Sequence, residues 1–507
     1  MTSASSSNRP VLIGASQLSH RNVNLETSQS PLAMSLRIAQ ESATASGASD
    51  PSALLRSIDT IALTAIAGWS AQNAPRLIGD ALGAKPQTEW VSHHGGESAL
   101  ALVNGVANRI VRGESELGFV FGANNIKSLN LARTAESRLD WPMGGDGTPE
   151  TVGKEGWGHN DFEADAGFDM PINIYPLFEN ALRVARGQSL EEHAQSMGNL
   201  MHPLTQLAAA NPHAWFPTER SAQELVTTSP LNRMIFFPYA KYLNAVMATE
   251  QAAGTLIASE AFADRIGIPQ DKRVYWRGGA FAVEDPWNFS ERPSFDRAPA
   301  MKTCHTTALS NAGLDLEEID LFDFYSCFPI AISMACESLG LDQTDSRGLS
   351  ITGGLPYAGG PGSSYSFHSL ATAVERLQAG AAKNAMVTGN GWYLTKHSAS
   401  VLSLKPNSET PTAAANDDFR APSSGEPVML DKAPEGNATV ETYTIGHGRD
   451  GSPEKGLIVG RLDSTNARFL ATAPSDASLL ADLETRELIG TKGNVAMRDG
   501  KAIFEPV

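Results

Sequence analysis

Apolar residues in this chain come in two patterns: short continuous runs, and longer stretches repeating every three to four positions. Pro10-Val11-Leu12-Ile13-Gly14-Ala15 predicts a first strand, residues 33–46 a helix, and Ile58–Ala65 a second strand. Between residues 97 and 112, Leu102, Val103, Val106 and Ile110 share one face of a helix, so that face belongs to a core. Gln251–Ala261, with Ala252, Ala253, Leu256, Ile257 and Ala258, and Ser400–Leu404 read as further buried strands. Strands alternating with helices in this way predict an α/β protein.

Several segments occur twice. Gly95-Gly96-Glu97-Ser98 opens a run ending Arg109-Ile110-Val111-Arg112-Gly113, followed by Phe119-Val120-Phe121-Gly122. Gly362-Ser363-Ser364-Tyr365 opens another, ending Arg376-Leu377-Gln378-Ala379-Gly380, followed by Met386-Val387-Thr388-Gly389. Arg109 and Arg376, Gly113 and Gly380, and Gly122 and Gly389 share one spacing. Ile58-Asp59-Thr60-Ile61 is echoed in the same way by Ile319-Asp320-Leu321-Phe322. The spacing is far too long for a solenoid, so the sequence predicts two similar halves packed together. They are expected over residues 9–262 and 263–404.

Residues 123–245 have no counterpart in the second half and read as an insertion. It is rich in Gly, Asp, Trp and Pro over 141–172 and helical over 177–211, the pattern of a lid or binding platform. Residues 405–427 (KPNSETPTAAANDDFRAPSSGEP) read as a linker. Beyond it, residues 428–507 form a separate module. Ala438–Ile445, Leu457–Leu462 and Arg468–Ala473 alternate as strands, a helix spans 476–486, and two short strands flank Asp499-Gly500. Five strands and one helix in this order predict a small OB-like barrel. Its lack of paired aromatics and basic stripes points to docking or stabilisation, not to reading nucleic acid.

Composition narrows the function. The chain has 507 residues, 41% hydrophobic and 19% charged, as in an ordinary globular protein of several domains. A net charge of −17 argues against nucleic acid or an anionic membrane as the main partner. Cys304, Cys327 and Cys336 cannot make a disulfide framework and lack zinc spacing. No apolar run of about eighteen residues is present, so no membrane span is expected. MTSASSSN lacks the apolar segment of a signal peptide, and a cytoplasmic location is expected.

Five motifs follow one another along the chain. Val91-Ser92-His93-His94-Gly95-Gly96-Glu97-Ser98 lies at a strand-to-helix turn, and Asn211-Pro212-His213-Ala214-Trp215-Phe216 lies in the insertion. Tyr325-Ser326-Cys327-Phe328, then Gly353-Gly354 with Gly359-Gly360-Pro361, then Thr388-Gly389-Asn390-Gly391 complete the series. Together with the duplication, this order resembles the thiolase superfamily over residues 10–404, nearest to sterol-carrier-type thiolases and thiolase-like proteins. The linker and terminal module resemble the additional C-terminal domain of a thiolase-like subgroup.

The resemblance implies a duplicated thiolase fold, two βαβαβαββ halves layered α/β/α/β/α with an inserted loop domain. It also implies CoA thioester substrates and carbon–carbon bond formation or cleavage. In the family a nucleophilic Cys occupies the strand-to-helix turn, where this chain has Gly95. Gly360 replaces the His of Gly-His-Pro, Tyr325 the His of His-Asp-Cys-Phe, and Thr388 or Gly389 the Cys of Cys-x-Gly. The ordinary ping-pong route through an acyl-enzyme is therefore not expected.

Tyr325, Cys327 and Tyr365 are the candidate catalytic groups, Tyr365 because it matches Ser98 at a helix start. His93, His94, Gly95, Gly360, Asn390 and Gly391 are candidates for oxyanion or substrate binding. Plainer roles stand beside these: Cys327 as a small core hydrophobe, Tyr325 as a buried phenol, Gly95-Gly96 as a tight turn, Asn390 as a strand cap. No metal site is expected, because adjacent His93 and His94 diverge, and no Gly-x-Ser-x-Gly elbow occurs. His368 is expected to be packed and hydrogen-bonded, and Cys304 and Cys336 structural. The expected function is that of an acyl-CoA-handling protein of the acyltransferase class in lipid metabolism, an acetyl-CoA acetyltransferase by homology. Acyl-CoA enters as substrate, with no permanent cofactor, and the C-terminal module is a surface for a protein partner. The alternatives are a catalytically inactive acyl-CoA or partner-binding module, and a thiolase-like retro-aldolase.

Overall fold

The computed structural model describes residues 8–408 and 425–507; the expected tail and most of the expected linker lie outside the described residues. Two aspartates show how the duplication is built. Asp59 precedes the strand Thr60–Leu63, and Asp320 precedes Leu321–Asp323. Asp59 Oδ2 accepts from the amides of Glu116 (2.6 Å) and Leu117 (3.1 Å), and Asp320 Oδ2 from those of Lys383 (2.8 Å) and Asn384 (3.0 Å). Each carboxylate thus fixes where the neighbouring strand begins, Leu117–Asn124 in one half and Asn384–Gly391 in the other. Asp59→Ala is expected to cost about 2 kcal/mol through these charge-assisted bonds. The same change at the exposed Asp320 costs less; thermal melts giving equal losses would contradict the comparison.

The first half contributes Pro10–Ser19, Gln251–Ser259, Leu117–Asn124, Thr60–Leu63 and Thr88–Ser92, in that spatial order, with Glu150–Val152 of the insertion at the edge. The second contributes Val274–Val283, Lys396–Ser403, Asn384–Gly391 and Leu321–Asp323. The halves join antiparallel where Val11 faces Tyr275 and Leu12 faces Val274, so the described strands form one ten-stranded sheet. The second half has no described strand matching Thr88–Ser92. There the chain wraps around Asp323, whose Oδ2 accepts from Ser350 Oγ and from the amides of Ile351 and Thr352.

Three cores give the expected α/β/α/β/α layering. Met34 and Ile38 of helix Pro31–Ala45 and Ile78 of helix Ala74–Leu82 cover the first half. Val103 and Val106 of helix Ser98–Arg112 meet Leu370 and Val374 of helix Tyr365–Gln378 in the centre, between Val120 and Leu402. Cys304 and Ala308 of helix Pro299–Ala312, with Ile330 and Cys336 of helix Pro329–Leu339, cover the second half. In the insertion, the helical stretch predicted over 177–211 is two helices, Pro171–Ala185 and Leu190–Ala210. The second starts where it does because Ser189 and Glu192 form a reciprocal cap. No described helix is long and apolar enough to cross a membrane.

The C-terminal strands Gly436–His447, Pro453–Leu462, Arg468–Thr472, Lys492–Arg498 and Lys501–Pro506 close into a small barrel, because the first pairs with both the second and the fourth. The third and fifth run parallel, and helix Ala477–Leu483 lies between the third and fourth in sequence. The barrel is not free-standing. Gly446 of its first strand pairs with Phe236, Thr442 Oγ1 donates to Leu177 O (2.6 Å), and Asn180 Nδ2 donates to Tyr443 O (2.9 Å). Fully buried Arg468 donates to the carbonyls of Ser290 (2.7 Å) and Arg292 (2.6 Å), while pairing with Glu441.

Candidate functional site

Strand Thr88–Ser92 ends in a turn whose geometry is set by side-chain to backbone bonds: Ser98 Oγ donates to His93 O (2.9 Å), and the Gly95 amide donates to Ser363 Oγ (3.1 Å). The Gly95 amide is therefore engaged within the protein itself. A side chain on Gly95 would overlap Glu97 Oε2, and one on Gly391 would overlap the same oxygen. A side chain on Gly96 would overlap Tyr325 Oη and the Asn390 carbonyl. These glycines are required by what faces them: consecutive residues of the turn meet a carboxylate and a phenol.

Glu97 and Lys396 were not singled out as a pair by the sequence. Glu97 Oε1 lies 2.6 Å from Lys396 Nζ, with side-chain exposures of 3% and 0%. Lys396 also donates to the carbonyls of His94 (3.2 Å) and Lys154 (3.3 Å), so its ammonium is saturated. Glu97 Oε2 is buried without a hydrogen-bond partner. The signal available in the sequence was a lysine opening the otherwise uncharged, fully buried strand Lys396–Ser403. His93 stands on this side of the turn and, with Trp90, Glu97, Lys154 and Phe281 among others, lines a cavity of about 280 Å³ to which His94 does not contribute. Partial burial, then the charge of Lys396 and the ring of His93, push the pKa of His94 down. Among the described residues no three His, Cys, Asp or Glu side chains cluster as metal ligands.

On the other side of Gly96, Tyr325 is held by its amide, which donates to Thr388 Oγ1 (2.9 Å). The Tyr175 hydroxyl, from the insertion, lies near the Cys327 thiol. Asn390 Nδ2 donates to Tyr175 Oη (2.9 Å), leaving Asn390 Oδ1 buried and unpartnered. Tyr175 is a second residue missed in the sequence, since the insertion has no repeat partner to mark it. Tyr325 and Cys327 are nearly buried, each 8% exposed. Burial raises the Tyr325 phenol well above its usual range and pushes the Cys327 thiol up to about 12. Both are neutral donors at neutral pH, not bases.

Two sequence expectations shift. Tyr365 begins its helix, but its hydroxyl donates to Asp323 Oδ1 (3.1 Å) and bonds Thr352 Oγ1 (2.6 Å). Asp323, fully buried, needs that donor, and Tyr365 therefore turns into the core with its ring edge-on to Tyr325. Gly360 sits apart from Glu97: its amide donates to Val246 O (3.0 Å), and the preceding residue, Ala245, donates to Cys327 O (3.0 Å). His368 is buried and hydrogen-bonded to Gln17 (3.1 Å), its pKa pushed down to about 3 by burial.

Thiol reactivity follows from this packing. Burial raises Cys304 and Cys336 as it does Cys327, so all three are thiols at pH 7.5 and resist iodoacetamide. The folded state then holds thiol protons that the unfolded chain releases near pH 9, and stability falls as pH rises from about 9 toward 12. Mass spectrometry after alkylation checks this; rapid labelling of Cys327 at pH 7.5 would contradict its burial.

Comparison with known proteins places this geometry. The family model of the thiolase-like protein type 1 additional C-terminal domain matches residues 424–501. No curated protein matches the sequence. Among solved structures, a monomeric SCP2-thiolase like protein type 1 from Mycobacterium smegmatis is 29% identical, with a TM-score of 0.81 over 99% of this chain and 100% of that one. The Ltp2-ChsH2(DUF35) aldolase is similar in fold at 16% identity and a TM-score of 0.59, over 78% of this chain and 98% of that one. Acetyl-CoA acetyltransferase from Syntrophomonas wolfei is similar at 14% identity and a TM-score of 0.54, over 78% and 99%. With the duplicated halves, the five layers and the terminal barrel all in place, the chain has the fold of the thiolase-like proteins, and its residues 424–501 match their additional C-terminal domain.

Proposed function

We propose that this protein holds an acyl-CoA thioester without forming an acyl-enzyme, a non-covalent variant of acyltransferase-class chemistry. The observation that carries the reading is the turn at 95–97, which bears no side-chain nucleophile and whose vacant space is filled by Glu97 and Tyr325. A thiolase-type cysteine at 95 has no room while Glu97 keeps its position, so this site is rebuilt and not merely worn away. Tyr325 and Cys327, both neutral, donate hydrogen bonds toward a thioester carbonyl, with Tyr175, which accepts from Asn390 Nδ2, beside Cys327. Such groups suit reactions that need no acyl transfer to the protein, retro-aldol cleavage among them. A purely binding role is the second reading, favoured by the Gly95 amide being already engaged by Ser363. The terminal barrel, OB-like in strand order, serves as a stabilising module through Arg468.

Tyr325→Phe removes the hydroxyl alone. It is expected to weaken butyryl-CoA about fivefold, the worth of one hydrogen bond near 1 kcal/mol, and to leave free CoA, which has no thioester carbonyl, unchanged. Calorimetric titration of both ligands measures this. Unchanged affinity for butyryl-CoA would remove Tyr325 from the binding of the thioester.

A further inference from the structure

The chain carries a net charge of −17, yet one cavity in it is basic. Lys432, Lys455 and Lys501 line a space of about 220 Å³ where the insertion meets the terminal barrel. They come from three separate places: the segment entering the barrel, strand Pro453–Leu462, and the start of strand Lys501–Pro506. None of the three makes an ion pair among the described residues. Two of them are nevertheless held in place. Lys432 Nζ lies 5.2 Å from the centre of the Phe162 ring, on helix Asp161–Asp165 of the insertion. Lys455 Nζ lies where a side chain on Gly167 would overlap it, just beyond the end of that helix. The lining contains one carboxylate, Asp165, so its charged groups sum to +2. Lysines spread over a surface are solvated and repel one another little, whereas three gathered on one cavity repel until an anion enters.

We propose that this cavity is a binding site for a small organic phosphate monoester, separate from the turn at 95–97. A phosphate monoester carries close to two negative charges at neutral pH, which matches the charge of the lining; a carboxylate or a phosphodiester carries one. Lysine ammonium groups suit it, because they meet phosphate oxygens as point charges without a fixed geometry. Size limits the rest of the ligand. The cavity is smaller than the about 300–1,000 Å³ of sites that enclose a drug-sized molecule, so it takes the phosphate and a short organic group. That group lies against Phe162, Leu470 and Met497, which give the cavity an apolar side. A ligand seated there contacts the insertion and the barrel at once, so its binding also stabilises the folded chain.

The test is calorimetric titration of the full-length protein with phenyl phosphate, inorganic phosphate and dimethyl phosphate, with thermal melts in the same buffers. Phenyl phosphate is expected to bind saturably, to raise the melting temperature and to bind more weakly as salt is added. Inorganic phosphate, which lacks the organic group, and dimethyl phosphate, which carries one charge, are expected to bind more weakly. The double replacement Lys455→Met with Lys501→Met is expected to weaken phenyl phosphate at least about tenfold; both lysines are exposed, so the variant folds. Lys85→Met with Lys302→Met removes the same charge from exposed positions outside the cavity and is expected to leave the affinity unchanged. Absence of phenyl phosphate binding overturns the site, as does equal affinity in the Lys455 and Lys501 variant or equal loss in the control. Inorganic phosphate binding as tightly as phenyl phosphate overturns the assignment of an organic ester, and dimethyl phosphate binding as tightly overturns the match to a dianion.

Discussion

Lys396→Met is expected to destabilise this protein by about 3–5 kcal/mol, because it strands a buried carboxylate without its partner. Lys396 and Glu97 have side-chain exposures of 0% and 3%, so water cannot compensate for the lost ammonium. The carbonyls of His94 and Lys154 lose their donor in the same change, and those carbonyls tie the 93–97 turn to the insertion. Exchanging both partners for neutral side chains, Glu97→Gln with Lys396→Met, is expected to recover most of the loss, since the charge itself is what is costly to leave buried. Thermal unfolding of the single and double variants measures this, with the exposed Lys383→Met as reference. A drop for Lys396→Met no larger than that of Lys383→Met would show that the pair is not formed in solution.

Arg468→Met is expected to cost about 3–5 kcal/mol as well, by a different route. It leaves the carbonyls of Ser290 and Arg292 unpaired at about 1–3 kcal/mol each, and leaves Glu441 to Arg461 alone. The consequence extends beyond the barrel. Arg292, itself buried, donates to Tyr393 O (2.9 Å), Leu394 O (3.2 Å) and Thr395 Oγ1 (3.0 Å), and the Leu394 amide donates to Tyr175 Oη (3.4 Å). That hairpin connects Asn390 and Gly391 to Lys396, so loosening its anchor loosens the site. Hydrogen exchange is expected to rise across 391–396 as well as across 290–292. Unchanged exchange at 391–396 would confine the effect of Arg468 to the barrel interface.

The fold was legible where local chemistry repeats. Asp59 and Asp320 precede equivalent strands and grip equivalent amides, so the same short sequence does the same work in both halves. The terminal barrel was legible for a related reason: alternating strands and the turn at Asp499-Gly500, where both residues have positive φ, are local signals. The site was legible only in part. Gly95, Gly96, Tyr325, Cys327 and Asn390 converge because they end neighbouring strands or begin the helix beside them. Tyr365 was placed correctly on its helix, but its direction is decided by Asp323, a partner distant in sequence whose need for donors no pattern of hydropathy announces. The Glu97–Lys396 pair joins the two halves, and Tyr175 comes from the unrepeated insertion. Neither had a sequence neighbour to betray it.

The account turns on a thioester held without a covalent bond. Calorimetric titration of the full chain with butyryl-CoA, followed by intact-mass measurement of the same sample, tests that most directly. Saturable binding with an unmodified protein mass is the predicted result. A mass gain of one butyryl group would contradict it, since it requires a nucleophile that the 95–97 turn does not provide. Absence of any binding heat across temperatures would contradict the thioester reading altogether.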